Sequence, residues 1–399
     1  MSPNDTITAP AGFRAGAAAC GLKESGDLDV GILAADALCA AAAVFTTNRF
    51  CGAPIVVGRE HIRGGRLRAI VVNSGCSNVA TGRRGLADAR KTCRIVAEAL
   101  GTHQTRVLPA STGVIGRFLP MDKLQRGIRE ALAHLSDSPK AGHDFARAIL
   151  TTDLRTKQAC ERVKINRTRV TIAGCCKGSG MIAPNMATML AYVSTDAGIG
   201  PRRLRALLQA AADRTFNRVT VDECESTSDM VVVMASGRST NLAAGRAESN
   251  FAAALQVVCE SLAYQIVRDG EGATRVIEVT VRGAQTPRDA HLAARAIAVS
   301  PLVKTAVHGG DPNWGRIIQA LGQTNVAYQP DKVIVYLDKT VLFRKNAPAS
   351  GLNDRKLARL MNRKHVAITI NLNAGRAADR VLTCDLSRDY IRINADYRT

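Results

Sequence analysis

Residues 174–196 read GCCKGSGMIAPNMATMLAYVSTD. Glycines 178 and 180 flank Ser179 directly after Lys177, and glycine reaches backbone conformations with positive φ that other residues resist, so a tight approach to the following residues is sterically open. Beyond Pro184 and Asn185, Ala187 and Thr188 stand at the head of an apolar, strand-like run. A bend of this kind can strain one peptide bond. Attack of the Thr188 hydroxyl on the Ala187 carbonyl, an N-to-O acyl shift followed by hydrolysis, would cut the chain and leave Thr188 as a new N-terminus. The freed α-amine, with a pKa of about 8, would stand beside the hydroxyl it has to deprotonate. Read as ordinary structure, the stretch is a loop leading into a buried strand, and a bare KGSG usually means no more than that.

Composition narrows the classes. A chain of 399 residues with 46% hydrophobic residues can bury a large core, as two domains or one large α/β unit. Aromatic residues make up 4%, which leaves few stacking platforms for single-stranded nucleic acid. The formal charge is +20, from 54 basic and 34 acidic residues. The basic residues are scattered in ones and twos, as at Arg83-Arg84 and Arg202-Arg203, so the charge reads as a solvated surface that attracts anionic solutes, without a nucleic-acid partner. Eleven cysteines without a CxxC spacing read as reduced thiols in a cytoplasmic protein. No signal peptide is evident, and the alanine-rich run 34–44 is too short for a membrane span. The seven histidines form no HExxH pair, no G-x-S-x-G is present, and neither a Walker loop nor a GxGxxG after a strand occurs. Metal and tightly held cofactors are therefore not expected.

The hydrophobic pattern predicts an α/β protein. Apolar runs at 28–33, 40–46, 53–57 and 67–73 read as strands, and helices are expected at 86–100, 121–135, 140–150, 201–216, 251–267 and 354–361. Strands are expected again at 333–337 and 366–372.

The 174–196 string closely resembles the self-cleavage and nucleophile motif of the glutamate N-acetyltransferase, or ornithine acetyltransferase, family. Further blocks carry the resemblance over almost the whole chain: FTTNRFCGAP from Phe45, VNSGCSNVATG from Val72, STG at 111–113, TTD at 151–153, DGEGAT at 269–274, KTAVHGGDPNWGRI from Lys304 and the terminal DYIRINADYRT. Two blocks depart from the family pattern. Cys76, Ser77, Val79 and Ala80 alter SGNANACTG, and Glu223, Cys224, Glu225 and Ser228 alter TVDGDTSTND.

The resemblance implies an α/β fold of layered helices and mixed sheets, of the ornithine acetyltransferase and DmpA-like type. It implies autocatalytic cleavage between Ala187 and Thr188 into an α fragment, 1–187, and a β fragment, 188–399, assembled as a heterotetramer of two of each. Thr188 is the implied nucleophile, and Thr112 with Gly113 the oxyanion hole. Thr151, Lys177, Thr188, Glu271, Asn394 and Thr399 are the implied substrate residues. The implied reaction passes the acetyl group of N-acetylornithine to glutamate in arginine biosynthesis, with acetyl-CoA as a second donor in the bifunctional branch. An N-terminal-nucleophile aminopeptidase or amidohydrolase, or a relative with another acyl acceptor, are the alternatives. In the altered 223–228 segment, two added carboxylates would disfavour glutamate if they border the pocket, and would be nearly silent if they point to solvent.

Overall fold

A computed structural model describes residues 2–165, 167–183 and 189–396 of the protein. Ala187, Thr188 and Thr399, named above, lie outside the described residues. The chain forms two compact units: residues up to Asn217 together with Cys224–Ile266, and Arg218–Glu223 together with the residues from Val267 onward.

The first unit contains, in chain order, β1 (Phe13–Ala18), β2 (Val30–Phe45), α1 (Ala53–His61), β3 (Arg66–Cys76), α2 (Gly82–Ala99), β4 (Val107–Val114), α3 (Met121–Ala133), α4 (Pro139–Ala148), β5 (Lys157–Ile165), β6 (Thr168–Lys177), β7 (Leu190–Thr195), α5 (Pro201–Arg214), β8 (Met230–Ala235) and most of α6 (Arg246–Arg268). Its eight strands form one mixed sheet, ordered β4-β3-β2-β8-β7-β6-β5 with β1 on β2. Two neighbouring pairs are parallel, β3 with β4 and β7 with β8.

The corner of this sheet is β2. Its register on β3 jumps between Ala34 and Cys39, where Asp36, Ala37 and Leu38 are exposed. Before the jump β2 pairs with β1 and β3; beyond it residues 40–45 pair with β8. One core joins side chains from both limbs, Leu33, Ile70, Val72 and Leu108 with Leu190, Tyr192, Met230 and Val232. The opposite face of the first limb packs on α2 and α3 through Cys93, Val96, Leu124 and Ile128. On the second limb Gly174 lies against Leu262 of α6. Strands covered on both faces carry no polar alternation, which is why β7 and β8 are buried at every position.

Two sequence expectations change. The runs at 28–33 and 40–46 are limbs of one strand, because the intervening residues bulge without leaving the sheet. The run 53–57, expected as a strand, begins helix α1: Gly52 is extended, and Pro54 occupies the first turn, where its missing N–H costs nothing. A five-residue apolar run has no period that separates the two cases. The other helices start or end within a few residues of expectation, and α2 is followed by Gly101 at φ 61.

The second unit has β9 (Val276–Ala284), α7 (Pro287–Val299), α8 (Pro301–Gly309), α9 (Trp314–Gly322), β10 (Ile334–Leu337), β11 (Thr340–Arg344), β12 (Ala347–Pro348), α10 (Asp354–Met361), β13 (His365–Asn371), β14 (Ala377–Cys384) and α11 (Arg388–Asp396). Its sheet runs β12-β11-β10-β13-β9-β14, and β13 alternates buried and half-buried positions, the signature of a sheet covered on one face. Val279, Val281, Ile368 and Ile370 meet Ala290, Ala294 and Ile297 of α7 in the core. Trp314 stacks on Phe343 at 5.1 Å between ring centroids, so its block has an architectural role.

Phe145 of α4 is fully buried and meets Tyr192 of β7 edge-on at 5.5 Å. Phe145→Ala is expected to lower the unfolding free energy by roughly 3–5 kcal/mol. The denaturation midpoint should fall at unchanged slope; a loss below about 1 kcal/mol would contradict this core assignment.

Candidate active site

Strand β6 ends on Lys177, whose main chain pairs with Leu190 of β7 and whose side chain is buried. Its Nζ donates to Thr151 Oγ1 at 3.2 Å, so the structure brings these two substrate candidates together. Asp153 organises them. Its Oδ1 accepts from the Gly178 amide at 2.7 Å and from Lys157 Nζ at 2.5 Å, and its Oδ2 accepts from the Thr151 amide at 3.1 Å. The Thr152 and Ser179 hydroxyls add a bond of 2.7 Å. The loop after α4 is thus laced to the turn after β6. Burial alone raises the pKa of Asp153, but the positive charges of Lys157 and Lys177, with the Gly178 amide, outweigh it and hold the carboxyl below its ordinary value.

Thr112 and Gly113 lie at the end of β4, beside Ser74 and Gly75 of β3. Thr112 is buried. Gly113 has φ 122, and a Cβ there would stand 2.4 Å from the Gly75 carbonyl carbon; only glycine permits this approach. Behind it, the Ser111 hydroxyl donates to Asn73 Oδ1 at 2.6 Å and Asn73 Nδ2 donates to the Cys76 carbonyl at 2.8 Å.

The start of β7 and the end of β4 belong to opposite limbs of the folded sheet, and loop hydrogen bonds join them. The Ser77 amide donates to the Val114 carbonyl at 3.0 Å, the Ala53 amide to Asn78 at 3.1 Å, and the Gly52 amide to Thr227 at 2.8 Å. The Thr46 hydroxyl donates to the Ser226 carbonyl at 2.7 Å. Next to these, the Met189 amide donates to Asp229 Oδ1 at 2.8 Å. The segments around Phe45, Val72 and Ser226, far apart in sequence, therefore form one cluster.

The altered segment divides. Glu223, Cys224 and Glu225 are exposed and Ser228 is buried. Glu223 has φ 62, at the position where the family pattern has glycine, and its carboxylate pairs with Arg295. Exposure and a counter-charge both weaken the field of the added carboxylates.

In the second unit Glu271 is buried, and its Oε2 accepts from Asn394 Nδ2 of α11 at 2.8 Å. Asp385 secures the turn that carries Glu271. It accepts from the Thr274 amide at 2.7 Å, the Thr274 hydroxyl at 2.6 Å and the Arg275 amide at 2.7 Å, with His308 Nδ1 at 2.8 Å. Burial raises its pKa, and the bonds from Thr274 and His308 more than reverse that. Gly272, at φ 70, lies so close to α11 that a Cβ would meet the Tyr390 nitrogen at 2.5 Å.

Sequence reasoning missed Asp153, Lys157, Asp229 and Asp385 as supporting groups. Asp153 and Asp229 stood inside blocks already singled out, whereas nothing around Asp385 marked it. Among the described residues no cluster of His, Cys, Asp or Glu could hold a metal ion, and no helix is long and apolar enough to cross a membrane.

Comparison with known proteins gives the family. The ArgJ family model matches residues 14–399. The arginine biosynthesis bifunctional protein ArgJ of Dehalococcoides mccartyi is 46% identical over 402 residues, covering 100% of this chain and 98% of that protein. Its namesake in Methylococcus capsulatus is 45% identical, covering 98% and 96%. The crystal structure of the Bacillus halodurans arginine biosynthesis bifunctional protein is 42% identical with a TM-score of 0.50, and covers 52% of this chain and 98% of that one. The chain belongs to the ArgJ family.

Because the folded-state pKa of Asp153 is depressed, its contribution to stability is present in full above the unfolded value of about 3.9 and is lost as pH falls through the folded value. Asp153→Asn should therefore cost on the order of 3 kcal/mol near pH 7. The deficit should shrink as pH is lowered below about 4. Denaturant titrations of both chains across that range check it, and a pH-independent deficit would contradict the assignment.

Proposed function

We propose that the protein matures by cleavage between Ala187 and Thr188 and then moves the acetyl group of N2-acetyl-L-ornithine to L-glutamate through an acetyl-Thr188 ester. As a member of the ArgJ family it is a glutamate N-acetyltransferase of arginine biosynthesis. The α-amine of Thr188 takes the hydroxyl proton as Oγ attacks the acetyl carbonyl. Thr112 and Gly113 stabilise the oxyanion, a contribution typically worth 10²–10³ in rate for a single donor. The amine returns its proton to the departing ornithine, and the amino group of glutamate then attacks the ester.

Lys177, held by Thr151, is the cation for the α-carboxylate that both substrates share, with Thr399 as a further hydrogen-bonding residue. Glu271, bonded to Asn394, is the acid for the ammonium of the ornithine side chain. A second activity, acetylation of glutamate by acetyl-CoA, is part of the same proposal. We place the enzyme in the cytoplasm, as a heterotetramer of two 1–187 and two 188–399 fragments.

The observation that carries this reading is the hydrogen bond of the buried Lys177 to Thr151 at the strand end leading into residues 184–188. Two further facts support maturation. Nearly the whole Bacillus halodurans chain is matched by 52% of this one, close to the share that 188–399 would represent. Strands β6 and β7, on either side of the cut, are hydrogen-bonded neighbours, which would keep the fragments together.

Intact-mass analysis of the purified protein is expected to show 1–187 and 188–399, and Thr188→Ala a single chain. With N-acetylornithine and glutamate, acetylglutamate should form with parallel initial-rate lines. Release of free acetate without acetylglutamate would instead establish a hydrolase.

A further inference from the structure

The second unit holds a cavity of about 370 Å³ that the acetyl-transfer reading does not use. Its size falls within the range of about 300–1,000 Å³ common to small-molecule sites. Helix α9 gives one wall, where Gly315, Ile318 and Gln319 share a face by their spacing of three and four residues. The remaining walls come from Tyr328, Val333, the buried Phe343 of β11 and Asn346.

Three properties of the lining narrow the occupant. The first is aromatic surface. Phe343 is stacked on Trp314 with the ring planes 25° apart, which holds its ring in one orientation, and Tyr328 adds a second aromatic wall; such faces suit a planar heterocycle. The second is hydrogen-bonding capacity. The carboxamides of Gln319 and Asn346 and the hydroxyl of Tyr328 make no hydrogen bond among the described residues. A carboxamide offers a donor and an acceptor side by side, the arrangement that reads the N6–N7 edge of adenine. Asn346 is placed by the hairpin between β11 and β12: Lys345 and Asn346, at φ 50 and 54, connect the paired residues Arg344 and Ala347. The third is charge. Arg344 and Lys345 adjoin Asn346, and Lys332 adjoins Val333. All three are exposed, their side chains form no hydrogen bond or ion pair among the described residues, and Asp331 is the one acid in the segments 330–333 and 343–346.

We propose that this cavity binds an adenine nucleotide, with the base against Phe343 and Tyr328, its edge on Gln319 and Asn346, and its phosphates at Lys332, Arg344 and Lys345. Free ADP or ATP carries this group, and so does coenzyme A, the carrier in the second activity proposed above. The site does not depend on the Thr188 reading.

Trp314 is the only tryptophan of the chain and, stacked on Phe343, reports on the cavity. Titration of the full chain with ADP should change its fluorescence saturably, and CDP, with the same phosphates and a smaller base, should bind about tenfold more weakly or worse. Asn346→Gly removes a carboxamide at a positive φ that glycine adopts readily, and should weaken ADP about three- to tenfold. Lys345→Gly removes a cation at a similar φ, and should weaken ADP while leaving uncharged adenosine unchanged. Coenzyme A binding more tightly than ADP assigns the site to the acyl carrier, and ADP binding as tightly or more so assigns it to a free nucleotide; either supports the proposal. Equal binding of ADP and CDP is the non-specific attraction of anions to a basic protein and overturns it, as does parental ADP affinity in both variants. A Trp314 signal that follows protein concentration and ignores nucleotide means that a second copy covers the cavity, and overturns it too.

Discussion

One buried carboxylate sets the geometry around the centre of the first unit. Asp153 receives the Gly178 and Thr151 amides and the ammonium of Lys157, fixing together the turn that leaves β6 and the loop that carries Thr151. Such a group is stable only when its bonds are complete, because a buried charge without partners is costly. The same requirement places Lys177 on Thr151. On the proposed reading, recognition of an anionic substrate would start from a lysine already positioned, which reduces the ordering that binding demands.

The folded sheet explains why segments distant in sequence come together. The bulge in β2 lets its two halves belong to different limbs, and the shared core between them brings the loops at their ends into hydrogen-bonding range. Those bonds are mostly main chain to main chain, from Gly52 to Thr227 and from Ala53 to Asn78. Side-chain identity there is constrained chiefly by backbone conformation: Asn78 and Ala80 both have positive φ, at 54° and 57°.

Much of this was legible in the sequence, where long periodic segments exposed their type. Helices α2, α3 and α5 follow directly from the spacing of their apolar positions. The run at 53–57 was not legible, because its outcome depends on Pro54 and on packing absent from a five-residue window. The bulge in β2 escaped for a similar reason: exposed residues between apolar runs look like a turn. Among the candidate site residues, Lys177, Thr151, Glu271 and Asn394 were named through family resemblance, and the structure hydrogen-bonds Lys177 to Thr151 and Asn394 to Glu271. Asp153, Asp229 and Asp385 act on main-chain amides, and such partners leave no pattern of their own in a sequence. Glu223 shows the converse, a residue that departs from glycine yet keeps the positive φ that glycine favours, with Arg295 beside its carboxylate.

The claim at the centre of this account is that an acetyl group resides on Thr188 between the two half-reactions. Mass analysis of the protein after brief exposure to N-acetylornithine, with glutamate absent, measures it directly. The account predicts that the 188–399 fragment gains the mass of one acetyl group, that fragmentation localises it to the first residue, and that glutamate discharges it. Product formation from both substrates together, with no acetylated fragment at any time after N-acetylornithine alone, would contradict it.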